Sequence, residues 1–465
     1  MIYRISLLLL FGILSLLPCA QDVTGTWHGV ANFGGQKMRI DFHLDSLDRN
    51  LVTTMDSPDQ DSFDIPCSSI AFKNDSLVIQ LDSIKLTYRG QFRNEKFHGF
   101  VSQGGFRVPL LLQREFIPAP KPHRPQEPNE PYGYAVSKVS FTNPDGGHKL
   151  SGTLTLPQGK SKSPLAILIS GSGPQDRDET IMDHKPFWVL ADHLTRQGIA
   201  VLRYDDRGVA ESGGTFGGST SEDFARDVNA AIDWALSHSK IDPMSIGLIG
   251  HSEGGLIAPM VAAKNRMVSF VIMLAGPGTT GREIVLDQTR LMMESIGSGE
   301  PDIVTMENML REVIQVIVNP ETVKELEEQL RPIIRRGLEI VSNEEAAIYG
   351  GRESLIKARL KQFTDPWYQY FIQSDPTTAL KLTSCPLLAI NGLLDIQVPC
   401  YKNLSAIEYA MKSSGNPDFE IHAFPGLNHL FQHCETGSIT EYGLLEETMA
   451  PEVQILIGQW INARF

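Results

Sequence analysis

Four short runs of the chain are apolar almost without interruption: Leu165–Ile169, Ala200–Tyr204, Ser245–Ile249 and Val268–Leu274. Segments of helical spacing lie between them, at Phe187–Gln197, Glu222–Ser237 and Gly255–Ala263. A strand buried on one face alternates apolar and polar residues, whereas a strand that is apolar throughout is covered on both faces. Such strands separated by helices predict a parallel sheet between two helical layers, an α/β architecture. The alternating segments Ala135–Thr142 and Leu150–Leu156 predict an opening hairpin, and the pattern resumes at Pro386–Ile390 and Phe419–Ala423 before a closing helix over Pro451–Ala463.

About 110 residues separate Leu274 from Pro386, where a crossover needs about a dozen. Their spacing is helical over Glu283–Ile296, Asp302–Val318, Glu321–Val341 and Glu344–Gln362. We read this insertion as a helical cap at about 277–380, the alternative being a separate helical domain. Upstream, residues 21–116 carry period-two runs: Met38, Ile40, Phe42 and Leu44; Leu77, Ile79 and Leu81; Ile84, Leu86 and Tyr88; Val108, Leu110 and Leu112. These predict antiparallel strands of a small accessory β-domain. With Gly25-Thr26-Trp27 at its start, that domain resembles a lipocalin-like barrel. Six prolines between Ile117 and Pro131 fix φ and remove amide donors, so 117–133 is expected to be a semi-rigid linker ahead of an α/β domain over 134–465.

Residues 1–20 fit a cleavable export signal: Arg4, an apolar run from Ile5 to Leu17, then Pro18-Cys19-Ala20. Cleavage is expected after Ala20, with lipidation of Cys19 as the alternative, and the expected location is periplasmic or secreted. No later run is apolar for long enough to predict a transmembrane helix. The net charge of −14 gives no global attraction to nucleic acid or an anionic membrane, so neither is an expected partner. After cleavage Cys67, Cys385, Cys400 and Cys434 remain, at spacings that match no zinc ribbon. We expect free thiols, with a Cys400–Cys434 bridge as the alternative, since these cysteines follow Asp395 and His429 by five residues each. Asn74-Asp75-Ser76 and Asn403-Leu404-Ser405 match glycosylation sequons that matter only in a eukaryotic secretory route.

The strand Ser245–Ile249 runs into Gly250-His251-Ser252-Glu253-Gly254-Gly255, a G-x-S-x-G turn with a strand before it and a helix after it. That context makes Ser252 the candidate nucleophile, with Gly250 and Gly254 allowing the close approach of a sharp bend. Serine needs a base oriented by a third group. Of the downstream histidines, His422 falls inside a strand, and His429 follows it in a glycine-bearing loop. His433, four residues on, is the second candidate; no carboxylate accompanies the two as in a zinc-binding H-E-x-x-H. Asn391-Gly392-Leu393-Leu394-Asp395 places Asp395 at the end of the preceding strand. The glycine-rich loop Ser170–Gly173 ends another strand, and the amides of Ser172 and Glu253 are the expected oxyanion donors.

Together Ser170–Asp178, Asp205-Asp206-Arg207-Gly208, Gly250–Gly255, Asp395–Pro399 and Asn428-His429 resemble the α/β-hydrolase superfamily, and within it exported bacterial esterases and serine aminopeptidases. Ala210 departs from the glycine that relatives often carry after Asp-x-Arg-Gly-x, in a stretch that is structural in the family. The resemblance implies hydrolysis through an acyl-enzyme, with no metal or organic cofactor. The first expectation is an esterase acting on short or medium acyl chains. The second is a peptidase, with Glu253, Asp176 or Glu179 as anchor for the substrate amine. A third, of another class, is an exported ligand-binding protein with an inert hydrolase half. Oligomeric state is not legible from the sequence.

Overall fold

The computed structural model describes residues 22–465 except 34–35, 48–49, 61, 104–105, 119–121, 319–322, 344–345 and 347–348. The expected export signal at 1–20, with Cys19, therefore lies outside the described residues, as does Pro120 of the expected linker. The chain divides into two units, Met1–Lys121 and Pro122–Phe465.

In the first unit, β1 (Gly25–Phe33), β2 (Gln36–Leu47), β3 (Asn50–Ser57) and β4 (Ser62–Pro66) form one antiparallel sheet. A second antiparallel sheet holds β5 (Ser69–Lys73), β6 (Ser76–Leu81), β7 (Leu86–Arg93), β8 (Lys96–Gln103) and β9 (Phe106–Leu112). Paired hydrogen bonds between His28 and Gln113, and one from Cys67 N–H to the Thr53 carbonyl, link the sheets along both sides. The alternating residues meet inside: Phe42, Leu77, Ile79, Tyr88, Phe97 and Leu112 pack around Trp27, whose indole N–H donates to the Val23 carbonyl at 2.9 Å. Ile84, expected in a strand, instead ends a 3-10 turn over Asp82–Ile84, and Lys85 at φ 51° redirects the chain into β7.

The second unit is built on an eight-stranded sheet. Its strands are β10 (Ala135–Thr142), β11 (Lys149–Leu156), β12 (Ser163–Ile169), β13 (Ala200–Tyr204), β14 (Ile241–His251), β15 (Val268–Leu274), β16 (Leu387–Gly392) and β17 (Phe419–Phe424), in the order β10-β11-β13-β12-β14-β15-β16-β17. From β13 to β17 neighbours are parallel, while β10 and β11 run antiparallel. Every residue of β12, β13 and β16 is buried, as their apolar sequences require. One face packs on α1 (Pro186–Arg196) and the C-terminal helix Pro451–Asn462, the other on α2 (Ser221–Leu236), α3 (Glu253–Ala262) and Cys400–Ser414.

Between β15 and β16 stands the helical insertion: α4 (Gly281–Ser295), α5 (Glu300–Val318), α6 (Val323–Gly337), α7 (Arg352–Phe363), α8 (Pro366–Gln373) and α9 (Pro376–Leu380). It has a core of its own, including Leu310, Val313, Ile317, Leu330, Ile334 and Phe363. Residues 122–133 join this second unit rather than standing off as a spacer. Arg124 donates to the carbonyls of Leu445, Gly443 and Met182, and Gln126 is bound to the Met449 carbonyl and the Thr448 amide.

Candidate active site

Strand β14 ends at His251 and α3 begins at Glu253, so Ser252 alone forms the corner, at φ 52° and ψ −116°. A left-handed φ on a non-glycine residue costs of order 1–3 kcal/mol and persists only where surrounding structure imposes it. Here the Ser252 amide is bound to the Leu274 carbonyl at 2.9 Å, and the two flanking glycines permit the bend. A Cβ on Gly250 would strike the Gly254 carbonyl, and one on Gly254 would strike the Ile169 carbonyl of β12.

The candidate acid and base follow the ends of β16 and β17. Asp395 Oδ1 accepts the amides of Gln397 (2.8 Å) and Val398 (2.9 Å), which directs Oδ2 to His429 Nδ1 at 2.7 Å. Both side chains are buried. An ionised carboxylate only accepts, so against it Nδ1 carries the proton, and in the neutral ring Nε2 then bears the lone pair a general base needs. The Leu394 amide donates to the Leu427 carbonyl and thereby ties the acid loop to the base loop. His433 lies outside this arrangement, in ion pairs with Glu447 and Glu452, and His422 pairs with Glu420 on β17. Among the described residues no hydrogen bond joins Ser252 Oγ to His429, and such bonds often form only with substrate in place.

Ser172, Ser252 and Glu253 line one cavity of about 660 Å³. The rest of its wall is largely apolar and comes mainly from the insertion: Ile284, Met292, Met293, Met309, Leu310, Phe363, Trp367 and Phe371. Glu253 N–H, in the first turn of α3, has no intrahelical acceptor. The Ser172 amide has no acceptor among the described residues. The loop carrying Ser172 is held from below, with Ser170 Oγ and the Gln175 amide on Asp206, and the Gly171 amide on Glu179.

A strand–Ser252–helix corner near the centre of this sheet, with Asp395 and His429 paired beyond the ends of β16 and β17, decides the architecture. The second unit has the α/β-hydrolase fold. The family model "Serine aminopeptidase, S33" matches residues 186–331 of it. The chain is 26% identical over 281 residues to Esterase EstD of Thermotoga maritima, covering 60% of this chain and 58% of EstD. It is also 26% identical over 173 residues to the uncharacterized protein YfhR of Salmonella typhimurium, covering 37% and 56%. The chain thus spans a little over half the length of these relatives. Among solved structures, the Pyrococcus furiosus esterase Pf2001 superposes with a TM-score of 0.42 at 17% identity, over 71% of this chain and 93% of that one. The resemblance to the α/β-hydrolase superfamily stands.

Of the three candidate amine anchors, only Glu253 lines the cavity, and its Oε1 already accepts Ser221 Oγ (2.5 Å) and the Trp367 indole N–H (2.7 Å). Burial holds the Glu253 pKa above the usual carboxylate range, although those two donors oppose the shift. Asp176 closes its own turn by accepting the amides of Asp178 and Thr180, and Glu179 binds Gly171 and His251. All four described cysteines are free. Cys400 faces the Asn391 carbonyl and Cys434 the Gly426 carbonyl, so the bridge between them is not formed. Ala210, at φ 45°, occupies the left-handed backbone that suits the glycine of its relatives. Sequence reasoning missed the roles of Asp206, Ser221 and Trp367, because each contact joins segments remote along the chain.

Proposed function

We propose that this chain is an exported serine hydrolase that cleaves carboxylic esters of short or medium acyl chains. The observation that carries this reading is the buried Asp395–His429 pair, 2.7 Å apart, in the same fold as a strained serine corner that lines an apolar cavity. Ser252 is the nucleophile, His429 the base and Asp395 its orienting partner. The Ser252 hydroxyl attacks the ester carbonyl and passes its proton to His429 Nε2. The amides of Ser172 and Glu253 receive the oxyanion. As the tetrahedral intermediate collapses, the C–O bond to the alcohol breaks and the alcohol departs with that proton. Water, deprotonated by His429, then hydrolyses the acyl-serine and restores both groups.

The apolar wall supports an acyl chain over a charged substrate terminus. The name of the S33 family supports a second reading, an aminopeptidase, which would need Glu253 to hold an amine. Its engagement with Ser221 and Trp367 weighs against that role. The export signal at 1–20 supports a periplasmic or secreted location; among the described residues no helix is long and apolar enough to cross a membrane.

The test is turnover of p-nitrophenyl esters of graded chain length alongside aminoacyl amides, with fluorophosphonate labelling mapped by peptide mass. Expected are ester hydrolysis, label on Ser252, and loss of both in Ser252→Ala with the fold retained. Wild-type turnover in Ser252→Ala ends the serine-hydrolase reading, and a preference for aminoacyl amides replaces the esterase with the peptidase.

A further inference from the structure

Glu179 and His251 form a buried pair that the proposed chemistry leaves unused. Glu179 follows β12, is 1% exposed, and sits at a left-handed φ of 53°. Its Oε1 accepts the Gly171 amide at 2.6 Å and contacts His251 Nδ1 at 2.9 Å. The other imidazole nitrogen, His251 Nε2, lies 3.0 Å from the backbone carbonyl of His429. A carboxylate and a carbonyl both accept, so filling both contacts requires a proton on each ring nitrogen, and His251 is then an imidazolium. Burial by itself lowers the pKa of such a group. The Glu179 carboxylate, the His429 carbonyl and the charge of Asp395 outweigh it and hold His251 above the ordinary imidazole value. The remaining oxygen of Glu179, Oε2, is buried without a hydrogen-bond partner among the described residues, so this carboxylate spends its hydrogen bonding on Gly171 and His251 alone.

The contacts join three segments that catalysis must keep in register. Gly171 precedes the expected oxyanion donor, His251 precedes the nucleophile, and His429 is the base. Asp395 orients the His429 ring through Nδ1, but that bond does not hold the backbone on which the ring is mounted. The two imidazoles lie 4.8 Å apart, centroid to centroid. We infer that Glu179 and His251 are positioning residues, an ion-paired strut that locks the oxyanion loop and the backbone of the base to the nucleophile corner. This inference rests on the serine-hydrolase reading.

Glu179→Gln keeps the side-chain shape and an acceptor for Gly171 but removes the charge. A neutral His251 has a lone pair on one nitrogen, which then opposes an acceptor and releases one tether. The test compares wild type, Glu179→Gln and His251→Asn in kcat and KM on p-nitrophenyl butyrate, rate of fluorophosphonate labelling, and thermal melting. Expected for both variants is a kcat lower by roughly ten- to a hundredfold, as for small misplacements of reacting groups. KM stays near wild type, the melting temperature falls as for a broken buried pair while the protein remains folded at the assay temperature, and labelling slows in parallel. Wild-type kcat in Glu179→Gln overturns the strut, and so does a fall that merely tracks loss of folded protein. Nitrogen-15 spectra of histidine-labelled Ser252→Ala protein at neutral pH should show both His251 nitrogens protonated; a neutral ring overturns the ion pair. If wild type takes no label at Ser252, the hydrolase reading itself fails, and the nitrogen-15 spectrum still decides whether the charged pair exists.

Discussion

Asp395 divides its two oxygens between backbone and side chain. With Oδ1 held by two amides, the carboxylate cannot rotate away from His429, and its charge remains opposite Nδ1. Asp395→Asn keeps the size but offers an NH₂ or a neutral oxygen, which disturbs the tautomer. If the proposed triad operates, kcat should fall by about 10⁴-fold, as for the corresponding change in serine triads, with KM little altered. A loss under about tenfold in steady-state assays would exclude this orienting role. Gly254 makes a different demand, since its α-carbon lies against the backbone of β12. Gly254→Ala should destabilise the unit by about 1–3 kcal/mol through overpacking, read as a lowered denaturation midpoint. Unchanged stability together with full activity would show that the corner has room the structure denies.

Among the elements, the loop after β12 depends on buried carboxyls. Burial pushes the Asp206 pKa up to about 8; the Gln175 amide and Ser170 hydroxyl pull it back, and the charges of Glu253 and Glu179 raise it further. Unfolded, the same group titrates near 3.8. Between those values the native chain holds a proton that the unfolded chain has lost, so this residue's contribution to stability declines as pH rises from about 4 to about 8 and is level above that. Asp206→Asn removes the titration. Its melting temperature relative to wild type should therefore improve steadily from about pH 5 to about pH 8. A pH-independent difference in calorimetric scans would rule out the buried proton. The insertion is tied to the same region through Trp367, which reaches Glu253 beside Ser252. A cap helix thus meets the residue whose amide is the expected oxyanion donor.

For the whole molecule, each unit has its own core: Trp27 and its neighbours in the first, the two sheet faces and the cap core in the second. Every residue assigned to the proposed chemistry lies in the second. Residues 122–465 expressed alone should therefore fold and hydrolyse p-nitrophenyl esters at about the rate of the longer chain 21–465, within the factor of a few expected for an independent domain. A soluble but inactive fragment would assign the β-domain a part in catalysis.

The amino-acid sequence alone determined the parallel sheet, because β12, β13 and β16 are apolar at nearly every position and such segments are stable only between two covering layers. It also determined the serine corner, whose two glycines answer a purely local crowding. The pairing of His429 with Asp395 while His433 pairs with Glu447, the burial of Glu179 away from the cavity and the separate partners of Cys400 and Cys434 were decided by tertiary structure. Each depends on which strand ends become neighbours, and in a sheet with the order β13-β12-β14-β15-β16-β17 those ends meet across distances in the chain that no local pattern encodes.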